Sequence, residues 1–294
     1  MDKAERASLI ALPVVVAVGA GLAVAGSRGG AVAGGVPIFA LCVLLAYVIQ
    51  WIAFVPAYLL QTERFYDLTG SVTFIAVTVV AVALGPAPDA RSFVLLAMVV
   101  VWAVRLGSYL SRRVRKSGGD TRFDAIKPSF VRFLTTWTLQ GLWVTLTLGA
   151  ALAALTTEVR RGFGLLGYVG LALWCAGFTL EVVADLQKSR FRRLPANRGT
   201  FIRTGLWARS RHPNYFGEIV LWVGVALVAV PVLRGWQLVT LVSPLFVFLL
   251  ITRVSGVPML EKAADERWGG REDYESYKAT TPVLVPLWRS RRGA

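Results

Sequence analysis

The chain has few of the residues from which most metal and disulfide sites are built. In 294 residues there is one histidine, His212, and there are two cysteines, Cys42 and Cys175. A single imidazole excludes a histidine-based metal site, so no metal is expected. Both cysteines lie inside apolar stretches, which excludes a disulfide framework and gives them the character of small buried hydrophobes. Acidic residues are also scarce, with 17 Asp and Glu against 32 Lys and Arg and a net charge of +15. The alternation of polar and apolar positions that marks a half-buried strand is missing too. The apolar runs are continuous, and a sheet facing lipid would have to close on itself.

What the chain has in quantity is hydrophobicity: 55% of its residues are hydrophobic, and the mean hydropathy is +0.59. Eight apolar spans run over approximately 8–26, 37–60, 70–85, 92–108, 130–156, 164–184, 217–233 and 236–257. Most reach or approach the roughly 20 residues a helix needs to cross a bilayer. The third and seventh are short, so their ends are the least defined. This pattern predicts an all-α integral membrane protein with about eight transmembrane helices, forming one polytopic domain over 1–294. Lys3 and Arg6 ahead of the first span imitate a signal peptide, but more membrane follows rather than an exported domain, so the span reads as helix one.

Charge orients the spans. With the N-terminus cytoplasmic, the loops on the opposite side carry only Arg28, Arg91, Arg160, Arg161 and Arg234, while nearly all other Lys and Arg fall on the cytoplasmic side. That asymmetry is the positive-inside pattern. Topology and anionic headgroups account for the basic excess, so nucleic acid is not expected as a partner. Membrane lipids and an apolar small molecule are expected, and no obligate protein partner.

Five charges fall inside spans: Arg105, Glu181, Asp185, Glu218 and Arg253. Each costs about 3 kcal/mol or more at the bilayer centre unless it is paired or faces a polar cavity. Snorkelling to the interface competes as an account of the arginines but fails for the short carboxylates. All five lie towards the cytoplasmic ends of their helices, which points to a polar cavity opening to the cytoplasm. Beside it runs Gly205-Leu-Trp-Ala-Arg-Ser-Arg211-His212-Pro213-Asn214-Tyr-Phe-Gly-Glu218, the densest polar segment between two apolar ones.

Basic residues flank this segment. Arg190, Arg192, Arg193, Arg198 and Arg203 lie in 185–216, and Arg112, Arg113, Arg115 and Lys116 lie below helix four. The guanidinium fork suits phosphate, and Asn and carboxylate suit amide and ribose hydroxyl groups. The combination fits a phosphorylated dinucleotide, with a solvated basic face accounting for about half of these residues. Gly162-Phe-Gly164-Leu-Leu-Gly167 matches the dinucleotide fingerprint but opens a membrane helix with no strand before it. It is set aside in favour of close helix packing.

These residues carry a resemblance. Asp67-Leu-Thr-Gly70, Trp102-Ala-Val-Arg105-Leu-Gly107, Asp120-Thr-Arg122-Phe123-Asp124, Glu181-Val-Val-Ala-Asp185-Leu-Gln187, Ser210 to Glu218, Ser255 to Lys262 and Tyr274-Glu-Ser-Tyr277 resemble the membrane family of steroid 5α-reductases, and within it a bacterial branch of reductase-like proteins. The resemblance covers roughly 66–288 and implies a seven-helix core to which the first helix is added. Sterol double-bond reductases and isoprenylcysteine methyltransferases carry related versions of the 205–218 run.

The resemblance implies reduction of a conjugated carbon–carbon double bond with NADPH, in a bacterial inner membrane, with both termini and the cofactor site on the cytoplasmic side. Cofactor positions of the family fall on Arg105, Lys116, Glu181, Asp185, Arg192, Asn214, Glu218 and Arg253. Arg203, Arg211 and His212 join them on their chemistry. Arg192 and the loop arginines would hold the 2′-phosphate and pyrophosphate, and Asn214 and Glu218 the nicotinamide half. The catalytic Glu and Tyr of the steroid enzymes match Asp67 and Trp102 here. An indole N–H donates but cannot deliver a proton, which puts a steroid-like 3-oxo substrate in question. Asp67 reads equally as a donor when protonated or as the cap of helix three. His212, before Pro213, shapes the turn into helix seven or bonds the cofactor. The tail 258–288 reads as a cytoplasmic amphipathic helix.

Two other classes stay open: an S-adenosylmethionine-dependent methyltransferase of the isoprenylcysteine type, and a non-catalytic lipid-binding protein. The first needs less phosphate-binding charge than the chain supplies, and the second leaves the intramembrane carboxylates without a purpose. Helices one to four would form the substrate pocket, whose side chains specify only that the substrate is apolar.

Overall fold

The computed structural model describes residues 2–117 and 119–287, without the side chains of Arg113, Arg115, Lys116 and Ser117. Lys116, one of the expected cofactor residues, therefore lies outside what is described. The chain is 78% helical, and eight helical segments among the described residues are long and apolar enough to cross a membrane. The expected all-α integral membrane class holds. The helices are α1 (Lys3–Ser27), α2 (Ile38–Leu59), α3 (Tyr66–Leu84), α4 (Ala90–Ser117), α5 (Phe130–Thr156), α6 (Gly164–Arg193), α7 (Pro213–Ala229), α8 (Val242–Leu249), α9 (Val257–Trp268) and α10 (Glu272–Thr280). A hairpin of two short strands, β1 (Val32–Ala33) and β2 (Val36–Pro37), joins α1 to α2.

Several boundaries differ from those read in the sequence, each for a local reason. Helix α3 begins at Tyr66 with Phe65 at the cap and no side-chain cap bond. Asp67 is thus inside the first turn and is not the cap. Helix α6 continues nine residues past 184, because Gln187, Lys188 and the arginines 190, 192 and 193 are good helix formers. The basic residues of its last turn also suit the C-terminal dipole. Leu194-Pro195 then stops it. Arg192 therefore sits on a helix end instead of in a loop.

The eighth span is not one helix. A 3₁₀ stretch (Gly235–Leu241), α8 and a π-helical turn (Leu250–Val254) follow one another, and Gly256 with Pro258 starts α9. The tail is two helices, α9 and α10, rather than one.

The chain divides into two compact units, Met1–Tyr168 with Val225–Ser243, and Val169–Gly224 with Pro244–Ala294. In the first, α1, α2 and α3 pack on α5. The apolar window of α5 is 78% buried, against 28–50% for the other spans, so α5 is the inner helix of that unit and the rest expose a face to lipid. Phe54, Phe123, Phe133 and Trp137 form its aromatic core, with Phe65 and Tyr66 against them. Cys42 is buried here. Cys175 departs from expectation: it is exposed on α6, and on a membrane span that face meets lipid.

Arg91, assigned to a loop by its charge, is only 2% exposed in the first turn of α4. Its Nε donates to the Val228 carbonyl at 2.9 Å, Nη1 to the Arg161 carbonyl at 2.8 Å and Nη2 to the Gly162 carbonyl at 3.1 Å. These bonds satisfy the backbone entering α6, so the 162–167 glycines serve that turn. The close glycine packing lies further along.

That packing is in the second unit. A Cβ on Gly217 would lie 2.6 Å from the Gly177 carbonyl oxygen, and one on Gly224 would lie 2.5 Å from that of Gly170. Helices α6 and α7 therefore touch backbone to backbone, which only glycine permits. Below them Trp207, 3% exposed, donates its indole N–H to the Ala184 carbonyl at 3.0 Å. The Phe201 ring packs on Trp268, Tyr274 and Tyr277 of α9 and α10.

Candidate functional site

In the second unit the chain between α6 and α7 is fixed by residues far along the sequence. The N–H groups of Arg211 and His212 donate to the carbonyls of Pro282 (2.9 Å) and Val283 (3.1 Å), and Leu287 N–H donates to the Arg209 carbonyl at 3.1 Å. Ser210 Oγ donates to the Leu284 carbonyl at 2.8 Å and accepts the His212 N–H at 3.2 Å. The segment after α10 thus lies as a strap along 209–212. Tyr277 Oη donates to the Trp207 carbonyl at 2.7 Å and ties α10 to the same turn.

Two side chains of the turn share one carboxylate. Glu261 of α9 places Oε2 2.8 Å from Arg211 Nη1 and Oε1 2.7 Å from His212 Nε2. His212 is 5% exposed and stacks on Tyr215 at 5.7 Å between centroids. Burial pushes its pKa down, Glu261 pulls it up, and Lys188 and Arg211 push it down again; the net position is below the ordinary histidine value. The imidazole is therefore neutral at pH 7.

Asn214, at the start of α7, donates from Nδ2 to Asp185 Oδ1 at 3.2 Å. Glu181 and Asp185 are 3% and 8% exposed on α6, where Gly217 lets the α7 backbone reach Glu181. Glu218, next to Gly217 on α7, is half-buried. Asn214 Oδ1 and His212 Nδ1 are buried with no hydrogen-bond partner among the described residues. A buried acceptor left unsatisfied costs about 1–3 kcal/mol, which a donor from water or a ligand would relieve.

Beside this turn lies a cavity of about 230 Å³. Lys188, Arg192, Arg211 and Arg267 line its basic side, and Phe201, Trp207, Trp268, Tyr274 and Tyr277 its aromatic side. Lys188 Nζ lies 4.4 Å from the Trp207 ring centroid. Both tyrosine hydroxyls are already bonded, Tyr274 to Asp265 and Tyr277 to Trp207, so these residues present rings. Cations beside flat aromatic walls suit a phosphate-bearing aromatic ligand.

The structure thus brings Arg192, Arg211 and His212 to one cavity and gathers Glu181, Asp185, Asn214 and Glu218 on α6 and α7. Arg203 is exposed, with its guanidinium 5.9 Å from the Phe201 ring centroid. Arg253 is exposed in the π-helical turn. Lys188 and Glu261 complete the site, and sequence reading missed both. Lys188 is one of many basic residues in 185–216, while Glu261 lies 49 residues from its partner His212.

Arg105, Asp67 and Trp102 belong to the first unit. The Arg105 guanidinium lies 5.7 Å from the Tyr109 ring centroid, and Trp102, 4% exposed, meets Phe74 edge to face at 5.0 Å. Two glutamines of that unit also went unnoticed. Gln50 Nε2 donates to Thr73 Oγ1 at 2.7 Å, and Gln140 Nε2 donates to the Tyr66 carbonyl at 3.2 Å. Their Oε1 atoms are buried without a partner among the described residues. Among those residues no group of three His, Cys, Asp or Glu side chains is placed to hold a metal.

A membrane-embedded helical protein with a basic, aromatic-walled cavity is the class these features define. The chain matches, over residues 53–281, the family described as a protein of unknown function (DUF1295), which is the steroid 5α-reductase-like family, and it belongs to that family. It is similar to 3-oxo-5-alpha-steroid 4-dehydrogenase 1 of Mus musculus, at 30% identity over 119 residues, 40% of this chain and 41% of the mouse protein. It is similar to the Rattus norvegicus protein of the same name at 30% identity, over 40% of each chain. The chain therefore matches well under half the length of these relatives. No solved structure matches it.

Proposed function

We propose that the protein is an NADPH-dependent reductase of a conjugated carbon–carbon double bond in an apolar, membrane-dissolved substrate. The observation that carries this reading is the basic, aromatic cavity, lined by His212 with its unpartnered Nδ1, two residues before the unpartnered Oδ1 of Asn214. NADPH has the groups these residues lack: phosphates for the cations, a flat adenine for the aromatic walls and a carboxamide N–H for an acceptor. When bound it would supply the hydride.

Arg192, Lys188, Arg211 and Arg267 would hold its phosphates, as guanidinium groups do best. Asp185 orients the Asn214 amide so that Nδ2 is occupied and Oδ1 is offered. Glu181 and Glu218, close by on α6 and α7, suit hydroxyl and amide donors. Arg105, Arg203, Arg253 and Lys116 would add positive field, which steers an anionic ligand without direct contact. Reduction of an enone leaves charge on the carbonyl oxygen. Trp102 N–H and a protonated Asp67 would stabilise it, and the proton for the α-carbon would come from Asp67 or water. The mouse and rat relatives act on 3-oxo-5-alpha-steroids by their names; for this chain an apolar lipid or steroid-like molecule is proposed. The excess of Lys and Arg on one side of the spans supports a bacterial inner-membrane protein with both termini and the cofactor site facing the cytoplasm.

The test is ligand binding to the detergent-purified chain. NADPH is expected to bind at least tenfold more tightly than NADH or S-adenosylmethionine, and Arg192→Ala and Asn214→Ala to weaken it with the fold intact. Tighter binding of S-adenosylmethionine would replace this reading with a methyltransferase.

A further inference from the structure

His212 can carry its proton in only one way that its surroundings accept. With the proton on Nδ1, a buried N–H would have no acceptor among the described residues, and the Nε2 lone pair would face the Glu261 carboxylate at 2.7 Å. With protons on both nitrogens, the buried Nδ1–H would again be unsatisfied, beside the positive charges of Arg211 and Lys188. With the proton on Nε2 alone, the donor meets Glu261, and Nδ1 is a buried lone pair on a residue that lines the cavity. The backbone cannot turn away from this arrangement. Ser210 Oγ and the 282–284 carbonyls hold it, and the second oxygen of Glu261 is held by Arg211 at 2.8 Å.

We propose that Glu261 is a positioning residue of the ligand site: it fixes His212 as the neutral Nε2–H tautomer, so that Nδ1 serves as an acceptor for an N–H or O–H donor of the bound ligand. The second half of this inference rests on the proposed dinucleotide reading; the first half does not. Glu261 acts through His212, as carboxylates do when they orient an imidazole by its far nitrogen.

Because His212 is the only histidine in the chain, nitrogen-15 histidine labelling of the full protein in detergent gives one pair of ring signals. The expected spectrum at pH 7 shows a protonated Nε2 and an unprotonated Nδ1. Glu261→Leu is expected to give mixed tautomers and about tenfold weaker NADPH binding, and Glu261→Gln, which keeps an acceptor, to restore both. A protonated Nδ1 in the unsubstituted protein overturns the proposal without any variant having to fold. Saturating NADPH is expected to move the Nδ1 signal toward the hydrogen-bonded position. NADPH that binds and leaves Nδ1 unmoved overturns the acceptor role. If NADPH does not bind while the Nε2–H tautomer stands, the dinucleotide reading fails and the positioning by Glu261 survives.

Discussion

Two charged clusters hold distant parts of this chain together, and they differ in what they leave over. In the first unit, Glu63 accepts the Asp120 N–H at 2.8 Å and the Lys127 ammonium at 2.7 Å, and Lys127 also reaches Asp124 at 3.1 Å. Both Glu63 oxygens are used, and the cluster joins the turn before α3 to the loop before α5. It borders a larger cavity, about 760 Å³, yet offers that cavity no orphaned group of Glu63. In the second unit, Glu261 is likewise used by Arg211 and His212, but the turn it braces still holds two buried atoms, His212 Nδ1 and Asn214 Oδ1, with no partner among the described residues. The first cluster is a fastening. The second is a fastening that, on the proposed function, also holds a binding group in place.

Substitutions should separate the two. The largest effect is expected from Arg192→Ala and Asn214→Ala. Each removes a charged or amide contact worth about 1.5–3 kcal/mol, so NADPH affinity falls roughly 10- to 100-fold with the melting temperature nearly unchanged. Equal affinity in both variants would leave the second cluster no different in kind from the first. Gly217→Val comes next. Its side chain meets the Gly177 carbonyl at 2.6 Å, and overpacking of this sort costs about 1–3 kcal/mol. Thermal stability and NADPH binding should fall together, because α6 and α7 carry Asp185 and Asn214.

Glu63→Gln is expected to cost about 1–2 kcal/mol of stability in a detergent melt and to leave NADPH affinity unchanged. A loss of affinity there would merge the two clusters into one site. The smallest effect is in pH dependence. Burial holds the His212 pKa below the ordinary 6.5, so its contribution is complete above about 6.5 and is lost as pH falls towards the lower folded value. Burial acts to raise the Glu63 pKa, but Lys127 and the Asp120 N–H outweigh it and hold it below 4.5. Its contribution is complete above that value and is lost only at lower pH. Acidification should therefore loosen the second unit first, and His212→Gln should remove the earlier limb of the melting profile.

Much of this was legible in the chain itself. Continuous apolar runs give the eight spans because a bilayer demands about 20 residues of one character. The 205–218 run announced a polar site because charged and polar side chains are dense there between two apolar spans. Local sequence could not show pairing across distance. His212 meets Glu261, Arg211 meets the carbonyl of Pro282, and Arg91 meets the carbonyl of Val228. Charge counting placed Arg91 in a loop because the positive-inside rule weighs a residue's side of the membrane and not its partners. Hydropathy ended α6 at 184 because it does not see that Gln, Lys and Arg prolong a helix into water. It drew the eighth span as one piece because apolar content is the same in α, 3₁₀ and π turns.

The central claim is that the second unit binds a phosphorylated dinucleotide, and direct titration tests it: the full chain in mild detergent against NADPH, NADH and S-adenosylmethionine, with Arg192→Ala alongside. The account predicts NADPH bound at least tenfold more tightly than the other two, with that preference largely lost in Arg192→Ala. Equal affinity for NADPH and NADH, or a preference for S-adenosylmethionine, would contradict it.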